Sequence, residues 1–287
     1  MDRKLAVQWF PGHMTKAKRM MEKELKLIDV AVEMLDARIP YASSNPLLEE
    51  ILGNKPRVVV LNKNDLADPK VTERWLHYYA ENDIPAIQLD STKGSGIKEL
   101  LATIKTAAAP VIQKWLARGV KNKNIRIMIT GIPNVGKSSL INRFANSIKA
   151  KTANKPGVTR GKQWLDVGNG LEIMDTPGIL WPKFEKQEIA FALAVTGAVK
   201  DEVFDTEQAA FLLLDFLLEH YPKNVLDRYK INEEQLADTQ TMLEIIAEKR
   251  GCLRAGGLLD RFKVSQLILK EFRAGFLGRV SVDGPPF

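Results

Sequence analysis

The chain has 287 residues, 45% of them hydrophobic, enough for two packed domains. Its longest nearly uninterrupted apolar run, Ile189 to Val199, falls short of the roughly 20 residues of a membrane span, and its single cysteine, Cys252, excludes an intramolecular disulfide framework and suits a reducing cytoplasm. The formal charge of +7 is segmented, with seven Lys/Arg against three acids in residues 1–26, five against none from Lys149 to Lys162, and eight against two from Lys249 to Arg279, the footprint expected of a nucleic-acid binder.

The first residues, MDRKLAVQWFPGHM, lack an apolar core of signal-peptide length, so export is not expected. From Thr15 to Ile28, Met20, Met21, Leu25 and Ile28 alternate at helical spacing with Lys16, Lys18, Arg19, Lys23 and Lys26, an amphipathic helix with a basic back. A strand is expected over Asp29 to Leu35. It ends in Asp36-Ala37-Arg38-Ile39-Pro40, where the proline discourages further helix or strand and a loop should follow. Asn45-Pro46 opens a helix to Leu52, Arg57 to Leu61 is a buried-type strand, Asp68-Pro69 opens a helix to about Asn82, and Ala86 to Leu89 is another strand. Ile97 to Trp115 reads as one long helix or as two broken at Pro110. Such alternation calls for an α/β fold with a mostly parallel sheet and helices on both faces.

Two strand ends in this half carry chemistry. Asn62-Lys63-Asn64-Asp65 gives an NKxD sequence in which the Asp65 carboxylate can accept from the N1–H and 2-amino group of guanine. Adenine lacks that amino donor, so the pattern favours GTP over ATP. Asn62 and Lys63 would brace the loop and cover the base. After the next strand, a backbone N–H of Ser91-Thr92-Lys93 could meet the guanine carbonyl. An ordinary polar turn explains either stretch taken alone.

The apolar run Ile125 to Thr130 leads into GIPNVGKSS, Gly131 to Ser139, and then a helix-like stretch, matching GxxxxGK(S/T). Gly131 and Gly136 allow the backbone, through Asn134, Val135 and the N–H groups up to Ser139, to curl around phosphate oxygens at the positive end of the helix. Lys137 would reach the β and γ phosphates and the Ser138 hydroxyl would bind Mg²⁺. In KPGVTRG, Lys155 to Gly161, Thr159 offers an oxygen that could complete the Mg²⁺ shell. A hairpin from Gln163 to Met174, turning at Gly168-Asn169-Gly170, ends in Asp175-Thr176-Pro177-Gly178. There Asp175 suits Mg²⁺ through water, and the Gly178 N–H suits the γ phosphate.

The remainder reads as helices over Lys186 to Val199, Thr206 to Glu219, Asn232 to Lys249 and Asp260 to Glu271, jointed at Tyr221-Pro222 and Gly256-Gly257. Arg250, Arg254, Arg261, Lys263, Lys270, Arg273 and Arg279 outnumber the nearby acids Asp260 and Glu271, so RNA phosphate is their expected partner. Phe262, Phe272 and Phe276 could stack bases, though core packing fits their helical spacing better.

In combination these motifs resemble the GTPase superfamily, in an order where NKND and STK precede the phosphate loop and DTPG, as in the circularly permuted GTPases. WFPGHM near the start, DARIP at Asp36 to Pro40, and GCLRAGG, DRF and KEFRAG near the end make the resemblance greatest to the branch of bacterial ribosome biogenesis GTPase A. It covers nearly the whole chain. The resemblance implies a cytoplasmic enzyme that binds a maturing large ribosomal subunit and its rRNA, hydrolyses GTP late in assembly and then leaves; a monomer is expected, and neither DNA nor a membrane is an expected partner. It also implies a GTPase domain over residues 1–182 and an all-α RNA-binding domain over 183–287. Ile179 follows DTPG where many GTPases carry a water-orienting glutamine, and the resemblance offers His13 of PGHM as the replacement. It further suggests that Asn134 supports a K⁺ ion bridging the phosphates. A protein-regulated signalling switch, a metabolic P-loop phosphotransferase and a nucleic-acid binder without turnover are the rival classes.

Overall fold

The structure, a computed structural model, describes Leu5 and residues 25–121, 123–149, 164–175 and 186–286. Most of the basic helix expected from Thr15 lies outside them. Its last residues pack inward, with Leu25 and Ile28 in a cluster around Ala31, Met128 and Met174.

Among the described residues, six strands form one sheet: β1 (Val30–Asp36), β2 (Arg57–Asn62), β3 (Ala86–Leu89), β4 (Ile125–Gly131), β5 (Trp164–Asp166) and β6 (Leu171–Asp175). Their order is β3-β2-β1-β4-β6-β5, and only β5 runs antiparallel to its neighbour. Helices α1 (Pro40–Ser43), α2 (Pro46–Leu52), α3 (Pro69–Glu81), α4 (Ile97–Ala117) and α5 (Lys137–Lys149) alternate with these strands. Every residue of β1 is buried, as a central parallel strand covered on both faces requires. Register then fixes the working edge. Asp36 lies opposite Asn62, Asn62 opposite Leu89, Met34 opposite Gly131 and Ile129 opposite Asp175, so all five parallel strands end at one rim.

The loop expected after Asp36 contains the short helix α1, because Pro40 stands at a first helical position, where its missing N–H costs nothing. Pro110 does not break α4, which runs unbroken through it; the residue is exposed, so water can satisfy the carbonyl it leaves unpaired.

The rest forms α6 (Gln187–Thr196), α7 (Thr206–His220), α8 (Pro222–Tyr229), α9 (Thr239–Arg250) and α10 (Arg261–Arg273). The joint expected at Tyr221-Pro222 is itself the start of helix α8, again with proline in the first turn. The single helix expected from Asn232 is instead a 3₁₀ turn, Glu233–Gln235, closed by a reciprocal Asn232–Gln235 cap. It is followed by α9, whose first turn is capped by the Asp238 carboxylate. Helix α7 packs against α6, α8, α9 and α10 and buries Ala209, Ala210, Leu213, Leu214 and Leu217. Cys252 is buried as well. The chain forms two compact units. Helices α6 to α10 belong to one and the sheet to the other, which also takes in the tail from Asp283.

Candidate functional site at the strand rim

Ligands of open parallel sheets bind beyond the carboxyl ends of the strands. Here those ends carry nearly every motif. Asn62, the last residue of β2, is buried and joins three segments: its Nδ2 donates to the Val135 carbonyl at 2.6 Å and to Ser91 Oγ at 3.1 Å, and its Oδ1 accepts from the Ser91 N–H at 3.0 Å. Thus NKND, STK and the phosphate loop converge on one side chain.

The glycines of the phosphate loop are required by this crowding. A Cβ on Gly136 would sit 2.2 Å from Asn62 Nδ2, and one on Gly131 would sit 2.4 Å from the Met34 carbonyl oxygen of β1. Gly136 also has a left-handed φ of 109°. Between them Asn134 is exposed, with φ 59°, and Val135 is buried. Lys137 is buried, and its ammonium donates to the carbonyls of Gly131 at 3.1 Å and Ile132 at 2.8 Å, so the charge is held inside the loop's own curl. Ser138 and Ser139 follow on the exposed first turn of α5.

On the base side, Lys63 adopts φ 60° and its Nζ donates to Asp36 Oδ2 at 2.9 Å. Asp36 also accepts from Arg38 Nε at 2.9 Å and Nη2 at 2.7 Å, and both members of that pair are about 2% exposed. Burial opposes the charge of Asp36, but the two cations prevail and hold its carboxyl far below the usual carboxylate range. Asp65 is more exposed, with Lys93 Nζ 3.8 Å away. The Asn64 N–H donates to the Leu89 carbonyl at 3.2 Å. The STK turn is closed by Asp90, whose Oδ1 accepts from the N–H groups of Thr92 and Lys93, each at 2.9 Å. A base carbonyl could use those donors only by sharing them with Asp90.

Nothing local in the sequence marks Asp36, Arg38 or Asp90 as a site residue. DARIP stands out there as a motif, but only the parallel register of β1 and β2 makes Asp36 the partner of Lys63. Asp175 ends β6 beside the phosphate-loop strand. His13, Thr159, Gly178 and Ile179 lie outside the described residues. No group of three or more His, Cys, Asp or Glu that could hold a metal occurs among the described residues. The donors at this rim nonetheless suit Mg²⁺, which takes one or two protein groups and completes its shell with phosphate and water.

In the helical unit the basic residues have more internal partners than their sequence neighbourhood suggested. Arg273 donates to the carbonyls of Ala194 and Val195 and pairs with Asp201 at 2.7 Å. Arg261 reaches Gln240, Lys263 the Gly251 carbonyl, Arg254 lies 3.5 Å from Asp260, and Arg250 lies 3.8 Å from Glu271. Lys270 is exposed on α10. Phe272 is buried in the core, whereas Phe262 and Phe276 are exposed, and Phe276 carries the Arg228 guanidinium over its ring at 4.8 Å.

The chain is similar to known proteins over most of its length. Residues 126–249 match the family described as 50S ribosome-binding GTPase. The chain is 47% identical to "Ribosome biogenesis GTPase A" of Priestia megaterium, with 98% of each chain covered. It is 35% identical to "Mitochondrial ribosome-associated GTPase 1" of Xenopus tropicalis, over 85% of this chain and 80% of that one. The crystal structure of GNP-bound YlqF from Thermotoga maritima superposes with a TM-score of 0.66 at 28% identity, covering 94% and 98% of the two chains.

Proposed function

We propose a function on the premise that this chain belongs to the ribosome biogenesis GTPase A family: it is a GTPase with a permuted nucleotide-binding domain, acting as an assembly factor for the large ribosomal subunit. It binds the pre-subunit and its rRNA in the GTP state and leaves after hydrolysis. The observation that carries the reading is the Asn62 junction, which ties the base-reading segments to the phosphate loop although they come first in the chain.

Asp65 reads guanine, with Asn62, Lys63, Asn64 and the Ser91–Lys93 turn as its frame. Lys137 leaves the loop carbonyls for the β and γ phosphates, and the backbone from Asn134 to Ser139 cradles them. Mg²⁺, when bound, offsets the charge that develops on the phosphates; Ser138 and Thr159 would ligate it and Asp175 would hold it through water. Gly178 would contact the γ phosphate, and Asn134 would support K⁺. His13 takes the water-orienting role that aliphatic Ile179 cannot fill. In sequence the DTPG segment closely precedes α6, so the nucleotide state should be read in the helical unit. Arg250, Arg254, Arg261, Lys263, Lys270 and Arg273 contribute to an RNA-facing charge even where they are also paired internally.

The test is GTP turnover with and without large ribosomal subunits, in K⁺ and in Na⁺. Stimulation by subunits, lost in His13→Ala, supports the reading. Turnover that ignores subunits but responds to an activating protein would instead make the chain a signalling-type switch. Equal rates in K⁺ and Na⁺ would remove the role given to Asn134.

A further inference from the structure

Arg143 lies on α5, about 9 Å along the axis from Lys137. It belongs to none of the nucleotide motifs. Its guanidinium nevertheless crosses to the base side, where Nη2 donates to the Thr92 carbonyl. The same group lies flat against Gly94: a Cβ there would stand 3.1 Å from its Cζ and 3.2 Å from its Nε and Nη1. Gly94 adopts φ 86° and its N–H donates to the Asp90 carbonyl at 2.7 Å, so the backbone under the guanidinium is held in place by its own turn.

We infer that Arg143 is a positioning residue for guanine-nucleotide binding, fastening the helix behind the phosphates to the turn beneath the base. Asn62 makes one tie between these parts, from Val135 to Ser91. Asp90 holds the shape of the Ser91–Gly94 turn from within, and the Asn62 tie grips that turn at its first residue. Arg143 holds the far end, at Thr92 and Gly94, and two separated ties fix a direction as well as a distance. A long cation suits the span because its carbon stem reaches out from the helix while its planar head can both donate to a carbonyl and pack on a glycine. Because the tie acts on the frame and not on the γ phosphate, its loss should weaken GTP and GDP alike and leave the chemical step alone. This inference rests on the nucleotide site proposed above.

The experiment compares the full-length parent with Arg143→Ala, Arg143→Gln and Arg143→Lys, measuring Kd for GTP, GDP, ITP and ADP, and KM and kcat for GTP with large ribosomal subunits. For R143A we expect Kd for GTP and GDP to rise about tenfold, about 1.4 kcal/mol, with KM following and kcat within twofold. R143Q reads the same loss if the alanine variant fails to fold, and R143K, which can still reach the Thr92 carbonyl, should recover most of the affinity. The ratio of GTP to ITP affinity should stay constant, since the 2-amino group is read by Asp65. Kd values within twofold of the parent in both R143A and R143Q, or a fall confined to kcat, would overturn the inference while leaving the functional reading intact. A parent that binds ADP as tightly as GDP would overturn both.

Discussion

The side-chain amide of Asn62 donates to the main-chain carbonyl of Val135 at 2.6 Å, across 73 residues of sequence. Val135 sits inside the GxxxxGKS loop and Asn62 opens the NKND sequence, so this hydrogen bond joins the two halves of the candidate nucleotide site, whose parts are encoded in reversed order. A buried amide with three such contacts is sensitive to substitution, because its removal leaves polar groups of the neighbouring segments without partners.

Asn62→Ala should therefore cost about 1–3 kcal/mol of stability and weaken guanine nucleotide at least tenfold. Denaturant unfolding and GDP titration on the same preparation check this. An unchanged GDP affinity would show that the junction does not shape the site.

Gly136→Ala should abolish nucleotide binding while secondary structure survives. The added methyl would stand 2.2 Å from Asn62 Nδ2 and 3.1 Å from Ser91 Oγ, at a left-handed φ of 109°, so the loop or the junction must move. Circular dichroism with GTP titration separates that outcome from general unfolding.

Asp36→Asn should destabilise the sheet unit by about 3–5 kcal/mol, because it leaves the buried Arg38 without its carboxylate and releases Lys63. The wild-type carboxyl is depressed in the folded state, so its contribution is fully present above the unfolded value near pH 4 and is lost as pH falls below it. Acid unfolding followed by tryptophan fluorescence should show a steeper low-pH limb in the parent than in D36N.

Asp283 should act in the opposite sense. Its carboxylate accepts from the N–H groups of Tyr41 at 3.3 Å and Ala42 at 2.8 Å, and burial, aided by the negative charge of Asp36, pushes its pKa up to about 7. Between about pH 4 and 7 the folded chain holds a proton that the unfolded chain releases, so stability falls as pH rises through that window. Asp283→Asn keeps an acceptor for the two amides without the charge. Its Tm should decline less than the parent's between pH 5 and pH 8, the difference corresponding to at most about 3 kcal/mol. Parallel Tm curves for the two proteins would count against a proton held by the half-buried Asp283 carboxyl.

The motifs of the candidate nucleotide site were legible in the sequence because each is local: a phosphate loop needs glycines, a lysine and a hydroxyl at fixed short spacing, and a guanine reader needs a carboxylate after a strand. The strands β2 and β4 were equally plain, since a buried parallel strand is a short apolar run closed by turn residues. Helices α1 and α8 were less so, because proline signals both a break and a first turn, and only packing decides between them. Composition could not reveal how the basic residues of the helical unit are used. Asp201 is far from Arg273 in sequence and reaches it only once α6 and α10 pack together. In the same way the roles of Asp36, Asp90 and Arg143 depend on contacts between segments: Lys63 meets Asp36 through strand register, and Thr92 meets Arg143 because α5 stands beside the turn after β3. What a residue can donate, accept or neutralise is fixed by its identity. Which partner it does this with is decided by the tertiary structure, because hydrogen bonds and ion pairs act over a few ångströms and only folding brings distant residues that close.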